Sequence, residues 1–145
     1  MDVAQQADDP QCIGWAVANL GEIYLDRREL TTALACAEYT VALGVQMGDW
    51  WTVALIMANI ADIAAAQHAW RNANHVFDVA VAMGERLQIP YLSGMYNDYV
   101  CALLMQDNIA EADAIHQQAM RALARAEGEF AGGEDDGFLV NLNTI

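Results

Sequence analysis

Ala33-Leu34-Ala35-Cys36-Ala37-Glu38-Tyr39-Thr40 returns in outline as Ala73-Asn74-His75-Val76-Phe77-Asp78-Val79-Ala80, and again as Ala112-Asp113-Ala114-Ile115-His116-Gln117-Gln118-Ala119. The same offsets carry Leu30 to Trp70 to Ile109, Leu20 to Ile60 to Tyr99, and Asn19 to Asn59 to Asp98. Gly44 is matched by Gly84, but the third copy has Leu123. Matching without gaps at several independent positions identifies an internal repeat. Its period of about 40 residues lies in the range of roughly 20–50 residues that marks a stacked array.

Within each copy the apolar spacing is helical. Val17, Leu20 and Tyr24 recur at steps of three and four, as do Leu30, Ala33, Ala37 and Val41. Boundary residues divide each copy in two. Asp9-Pro10 reads as an N-cap and first helical residue, and Gly48-Asp49 as a helix stop followed by the next cap. Pro90 is expected to open a fifth helix, and Asp107-Asn108 to turn into a sixth. The spacing predicts helices over 10–26, 30–47, 50–67, 69–88, 91–106 and 109–127, with no strands. Three helix pairs over 10–127 would thus follow a lead at 1–9. An acidic, glycine-rich linker from Gly128 and an apolar tail, Phe138-Leu139-Val140-Asn141-Leu142-Asn143-Thr144-Ile145, would complete 128–145. A lone helix pair cannot bury its apolar faces, so each must stack on its neighbours. Small residues stand where helices must cross closely: Ala33, Ala73 and Ala112 in one register, Thr40, Ala80 and Ala119 in another.

These residues resemble the tetratricopeptide repeat family. Asn19-Leu20-Gly21-Glu22-Ile23-Tyr24 is similar to that family's first-helix signature, and Ala33 and Thr40 fall on its small second-helix positions. Trp70 and Tyr96 fall on its aromatic positions. The period is similar to the longer variety of bacterial regulators and signalling ATPases. The resemblance covers about residues 12–127 and implies a right-handed α-α superhelix. The family's close-packing glycine is Gly21 in the first unit but Ala61 and Val100 in the next two, so the third unit is expected to pack less tightly or to tilt. His116 stands where Ala37 and Phe77 do, and is expected in the core.

The family's first helices line a concave groove that accepts a peptide or a partner helix. The resemblance therefore implies a partner-binding set of Trp15, Asn19, Glu22, Asp26, Leu55, Asn59, Asp62, Asn97, Asp98 and Cys101. Amides at Asn19, Asn59 and Asn97 can bond an extended backbone as donor and acceptor together, and Glu22, Asp26, Asp62 and Asp98 add negative charge. No basic residue falls in this set, which argues against a carboxylate clamp and for a basic or helical partner. Trp15 is expected to reach the partner, whereas Trp50 and Trp51 suit packing between units equally well.

Composition agrees. The formal charge is −14, and all six basic residues are arginines. That field disfavours nucleic acid and anionic membrane as direct partners. No apolar run reaches the roughly 18 residues of a membrane span. Met1-Asp2-Val3-Ala4 lacks the features of a signal peptide, so a cytoplasmic location is expected. Cys12, Cys36 and Cys101 are odd in number and widely spaced, which predicts reduced and mostly buried thiols rather than a disulfide frame.

Catalytic patterns are missing. Ser93 is the only serine and no GxSxG surrounds it. No histidine is local to a cysteine, and Asp113 with His116 is a single motif where carboxylate-bridged bundles need two. No metal, cofactor or enzymatic activity is expected. The reading is a protein-interaction module: an adaptor, a chaperone or a regulatory arm. The alternatives are a small-molecule sensor or helical enzyme, with a ligand near His116 or Cys101, and a self-assembling structural subunit. Self-association is expected from uncapped ends and the apolar tail.

Overall fold

The computed structural model describes residues 9–133, with side chains as far as Arg125. Among the described residues six helices follow one another: α1 Pro10–Asp26, α2 Leu30–Met47, α3 Trp50–Ala66, α4 Trp70–Leu87, α5 Leu92–Leu104 and α6 Ile109–Gly133. There is no strand among the described residues, and no helix there is long and apolar enough to cross a membrane.

The turns explain the regularity. A residue in the left-handed region ends each of the first five helices: Arg28, Gly48, His68, Gln88 and Asp107, at φ 51° to 69°. Each turn closes with the same long backbone bond, in which Glu29, Asp49, Ala69, Ile89 and Asn108 donate to Tyr24, Gly44, Ala64, Gly84 and Leu103, at 2.9–3.0 Å. This is the Schellman arrangement, and it satisfies carbonyls that the helix end would leave unpaired. The left-handed positions are almost evenly spaced along the chain, so each repeat of the sequence is two nearly equal helix-turn units. Side-chain caps sharpen two helix starts. Asp9 accepts from the Gln11 amide at 2.9 Å, and Asp49 accepts from the Thr52 amide and hydroxyl at 3.1 and 2.6 Å.

Successive helices pack in pairs, α1 on α2, α3 on α4 and α5 on α6, and each pair meets the next. In addition α1 touches α3, and α3 touches α5. No other pair makes more than marginal contact among the described residues, so the three hairpins form an open stack rather than a closed bundle. The apolar core lies in two clusters. One joins Ala18, Ala33 and Ala37 of the first hairpin to Ile56 and Ile63 of the second. The other joins Ala73, Phe77 and Ala80 to Met95, Tyr96 and Tyr99, then to Ala112, Ile115 and Ala119. Phe77 and Tyr99 stack with ring centres 4.9 Å apart.

Small residues set the crossings. A Cβ on Gly21 would stand 3.2 Å from the Cβ of Cys36, and one on Gly44 or Gly84 would stand 3.0 Å from Val53 or Leu92. In the third hairpin, the 13-residue α5 approaches α6 over a shorter stretch than the earlier pairs share. Side-chain bonds secure that hairpin to the second. Asn74 and Gln106 exchange two amide bonds at 3.1 and 2.9 Å, and the Tyr99 hydroxyl donates to Asp78 at 2.9 Å. Glu85 accepts from the Tyr96 hydroxyl and from Gln118, and pairs with Arg125 at 3.7 Å.

Several expectations require correction. His116 is exposed, not in the core. The face that holds Ala37 in α2 and Phe77 in α4 is covered by the following odd-numbered helix, and no described helix follows α6. Cys12 and Cys101 are exposed and only Cys36 is half-buried, so the thiols are free but not mostly buried. Trp50 and Trp51 are each about half exposed, which leaves both of their readings open. Pro90 lies in the turn. The first helical bond of α5 runs from Met95 to Tyr91, so Leu92 opens that helix. α6 continues to Gly133, past the boundary at 127. Glu127, Glu129 and Ala131 are good helix formers, and an isolated glycine such as Gly128 costs a helix only about 1 kcal/mol. Residues 134–145, with the rest of the expected linker and the apolar tail, lie outside the described residues.

Candidate functional site

The odd-numbered helices α1, α3 and α5 share one face of the stack, because each repeat returns its positions to the same register. Two registers carry polar groups. Asn19, Asn59 and Asp98 fall in one, and Glu22, Asp62 and Cys101 in the other, one turn along.

Adjacent helices bring these registers together on a diagonal. Glu22 of α1 accepts a 3.5 Å hydrogen bond from the Asn59 amide of α3. One hairpin further on, Asp62 of α3 faces Asp98 of α5 in the equivalent relation. The sequence has changed the partner there from an amide to an acid. Asp62 therefore gains no donor where Glu22 has one. Partial burial first, and the charge of Asp98 second, push its carboxyl up to about 7. Asp98 is also raised, by burial, against an opposing hydrogen bond from Asn97. Near pH 7 the Asp62 carboxyl is therefore about half protonated.

The other expected residues are spread more widely. Asn97 is exposed beside Asp98, and Cys101 is exposed further along α5. Leu55 is half-buried and packs on the larger core cluster, so part of its surface already has an occupant. Asp26 is exposed at the end of α1. Trp15 is about half exposed, but it lies at the far end of α1, beside Gly14, Leu43, Met47 and Thr52, where α2 hands over to α3. It does not join the acid and amide pairs. The structure thus assembles Asn19, Glu22, Asn59, Asp62, Asn97 and Asp98 along one face, with Trp15 at one end and Cys101 beyond Asp98. Among the described residues the one ion pair joins Arg125 to Glu85, so no arginine neutralises this face.

A cleft of about 290 Å³ opens on a different side, between α2, α3 and α4. Leu34, Ile60, Ile63 and Val76 supply apolar walls, with Gln67, Asn72 and His75 as polar members. It follows the seam between the two core clusters. Nothing in the sequence shows that the seam stays open. No group of three or more metal-ligating side chains occurs among the described residues.

Fold and face together define a class: among the described residues, an all-helical array of packed hairpins with an acidic and amide-bearing face across its odd-numbered helices. No known family model matches the chain, and no curated protein or solved structure matches it either.

Proposed function

We propose that the chain is a protein-interaction module of the tetratricopeptide-like kind, and that α1, α3 and α5 receive a basic helix or peptide across their shared face. The repeated diagonal of Glu22 with Asn59 and Asp62 with Asp98 carries this reading. A face built only for solubility has no need to half-bury two carboxyl groups against each other without a cation. An arginine or lysine from a partner turns that repulsion into attraction, and the partly desolvated setting strengthens the gain. The amides of Asn19 and Asn97 flank the pair and can orient a partner's backbone or side chains.

Binding of this type is coupled to protons. A partner cation stabilises the ionised form of Asp62, so near pH 7 association expels a proton and tightens as pH rises through about 7. Calorimetry with an arginine-rich amphipathic peptide, in buffers of different ionisation enthalpy, measures that release directly. The expected result is net proton release near neutrality, abolished in D62N, with affinity falling as salt rises. Affinity indifferent to salt and to both D62N and D98N would overturn the proposal. A small-molecule sensor is the second reading, and the cleft beside His75 favours it over the neighbourhoods of His116 and Cys101, which are both exposed.

A further inference from the structure

The first helix of the stack carries a stripe that its two equivalents bury. Val53, Ile56, Ile60 and Ile63 of α3 face the first hairpin, and Leu92, Met95, Tyr99 and Ala102 of α5 face the second. All are buried except Ile60, which is half-buried. The same positions in α1 are Ile13, Ala16, Leu20 and Ile23. Ile13 is half-buried and Ala16 is exposed, while Leu20 and Ile23 are each 47% exposed. No described helix packs over this stripe as the preceding hairpin does over its equivalents, although it has the composition of a buried seam.

Its ends are charged, and its spacing is symmetric about Ala18. Continued by one step each way, the stripe reads Asp9, Ile13, Ala16, Leu20, Ile23, Arg27, with steps of four and three in alternation. That is the seam spacing of paired helices. When a second such helix is laid antiparallel about the level of Ala18, Asp9 meets Arg27, Ile13 meets Ile23, and Ala16 meets Leu20. The second half of the contact then repeats the first, as a two-fold interface requires. Each Leu20 lies over the small Ala16 of the other copy, the alternation of large and small that lets helices interdigitate. Both charge pairs are of opposite sign.

Head-to-tail stacking fits less well. It would lay Ile13 of one copy on the outer face of α6 in another, as Val53 lies on Gly44 and Leu92 on Gly84. The α6 residue in that register is Leu123. At the two glycines even a Cβ would come within 3.0 Å of the facing side chain, so a leucine blocks the approach.

We infer that the chain forms a two-fold dimer through α1, antiparallel to α1 of a second copy, with the Ile13, Ala16, Leu20 and Ile23 stripes in contact and Asp9 paired with Arg27 at both ends. This surface lies apart from the Glu22 and Asp62 face and does not depend on that face binding a partner.

Sedimentation analysis of the full chain from the low micromolar range to about 100 µM should give twice the chain mass, and no larger species. L20E should weaken association at least tenfold while helix content stays unchanged, because Leu20 is already solvent-exposed. Register is tested by cysteine trapping in a C12S/C101S background. Mixed A16C and L20C chains should oxidise to a linked dimer faster than either variant alone. A monomer at every concentration overturns the inference, as does a mass that keeps growing or an L20E variant that associates normally. Equal trapping by L20C alone would refute the antiparallel register.

Discussion

Replacing Asp98 with asparagine should make the protein more stable at alkaline pH, although it removes a charged residue from a partly buried site. In the native chain the Asp62 carboxyl titrates near 7 against 3.8 in its ordinary state, with burial as the first cause and Asp98 as the second. The sign follows. Between those two values the folded chain holds a proton that the unfolded chain has released, so stability falls as pH rises across the window and levels off above about 7. From about pH 5 to pH 7 the full effect is about 2.7 kcal/mol, at about 1.36 kcal/mol per pH unit. Salt and partial solvent access reduce this to about 1–2 kcal/mol. D98N removes the second cause and offers Asp62 the donor that Asn59 gives Glu22, but it leaves the burial in place. Part of the pH dependence should therefore disappear, and the share due to burial should remain. The assay is thermal or urea unfolding followed by helical circular dichroism at about pH 5 and about pH 8, for wild type, D98N and D62N. Each kcal/mol moves the midpoint of a domain this size by about 3–4 °C. D98N should gain stability at the higher pH and change little at the lower, and D62N should show the shallowest dependence. An unchanged pH slope in D98N, or a loss of stability at pH 8, would refute this account of the pair. The three proteins differ only at the pair, so the differences between variants isolate it.

Backbone conformation in the turns can be tested separately. G48A should cost about 1 kcal/mol through its left-handed φ alone, since no atom crowds the added Cβ, while R28G should stabilise by a similar amount. Chemical denaturation of the pair should show opposite shifts in midpoint at constant slope. G21L places a side chain against the rigid Cβ of Cys36 and should lower stability by about 1–3 kcal/mol or more, read as an earlier thermal midpoint. F77A empties a fully buried position stacked on Tyr99 and should cost about 3–5 kcal/mol. Y99F keeps the ring and loses only the bond to Asp78, at about 1 kcal/mol, so the two variants separate packing from hydrogen bonding in the same unfolding assay.

The helices were legible because their signals are local. The sequence repeat, the Asp9-Pro10 start and the Gly48-Asp49 handover each mark a boundary through residues a few positions apart. The resulting boundaries agree with the observed helices to within two residues, except at the end of α6. Four of the five left-handed turns were harder to see. Arg28, His68, Gln88 and Asp107 are not glycine, and only the Schellman closure shows why each accepts that conformation.

The candidate face was legible in part for the same reason. Register alone placed Asn19, Asn59 and Asp98 together, and Glu22 with Asp62. It did not show that Glu22 reaches Asn59 while Asp62 reaches Asp98, because a diagonal contact depends on how far one hairpin is displaced along the next. Register placed Trp15 at one end of the same face, but not its position beside the α2–α3 handover, which is set by where neighbouring helices end. His116 was assigned to the core from Ala37 and Phe77, which owe their burial to a following helix rather than to their own.

Sequence by itself determined the number of helices, their turns, and the pairing of each with its neighbours, since helix propensity, caps and apolar period act within a single chain segment. Only the tertiary structure decided which of those helical faces are covered. Burial is a property of two surfaces, so the exposed stripe on α1, the exposed His116 on α6 and the shifted proton at Asp62 follow from what does or does not lie opposite them.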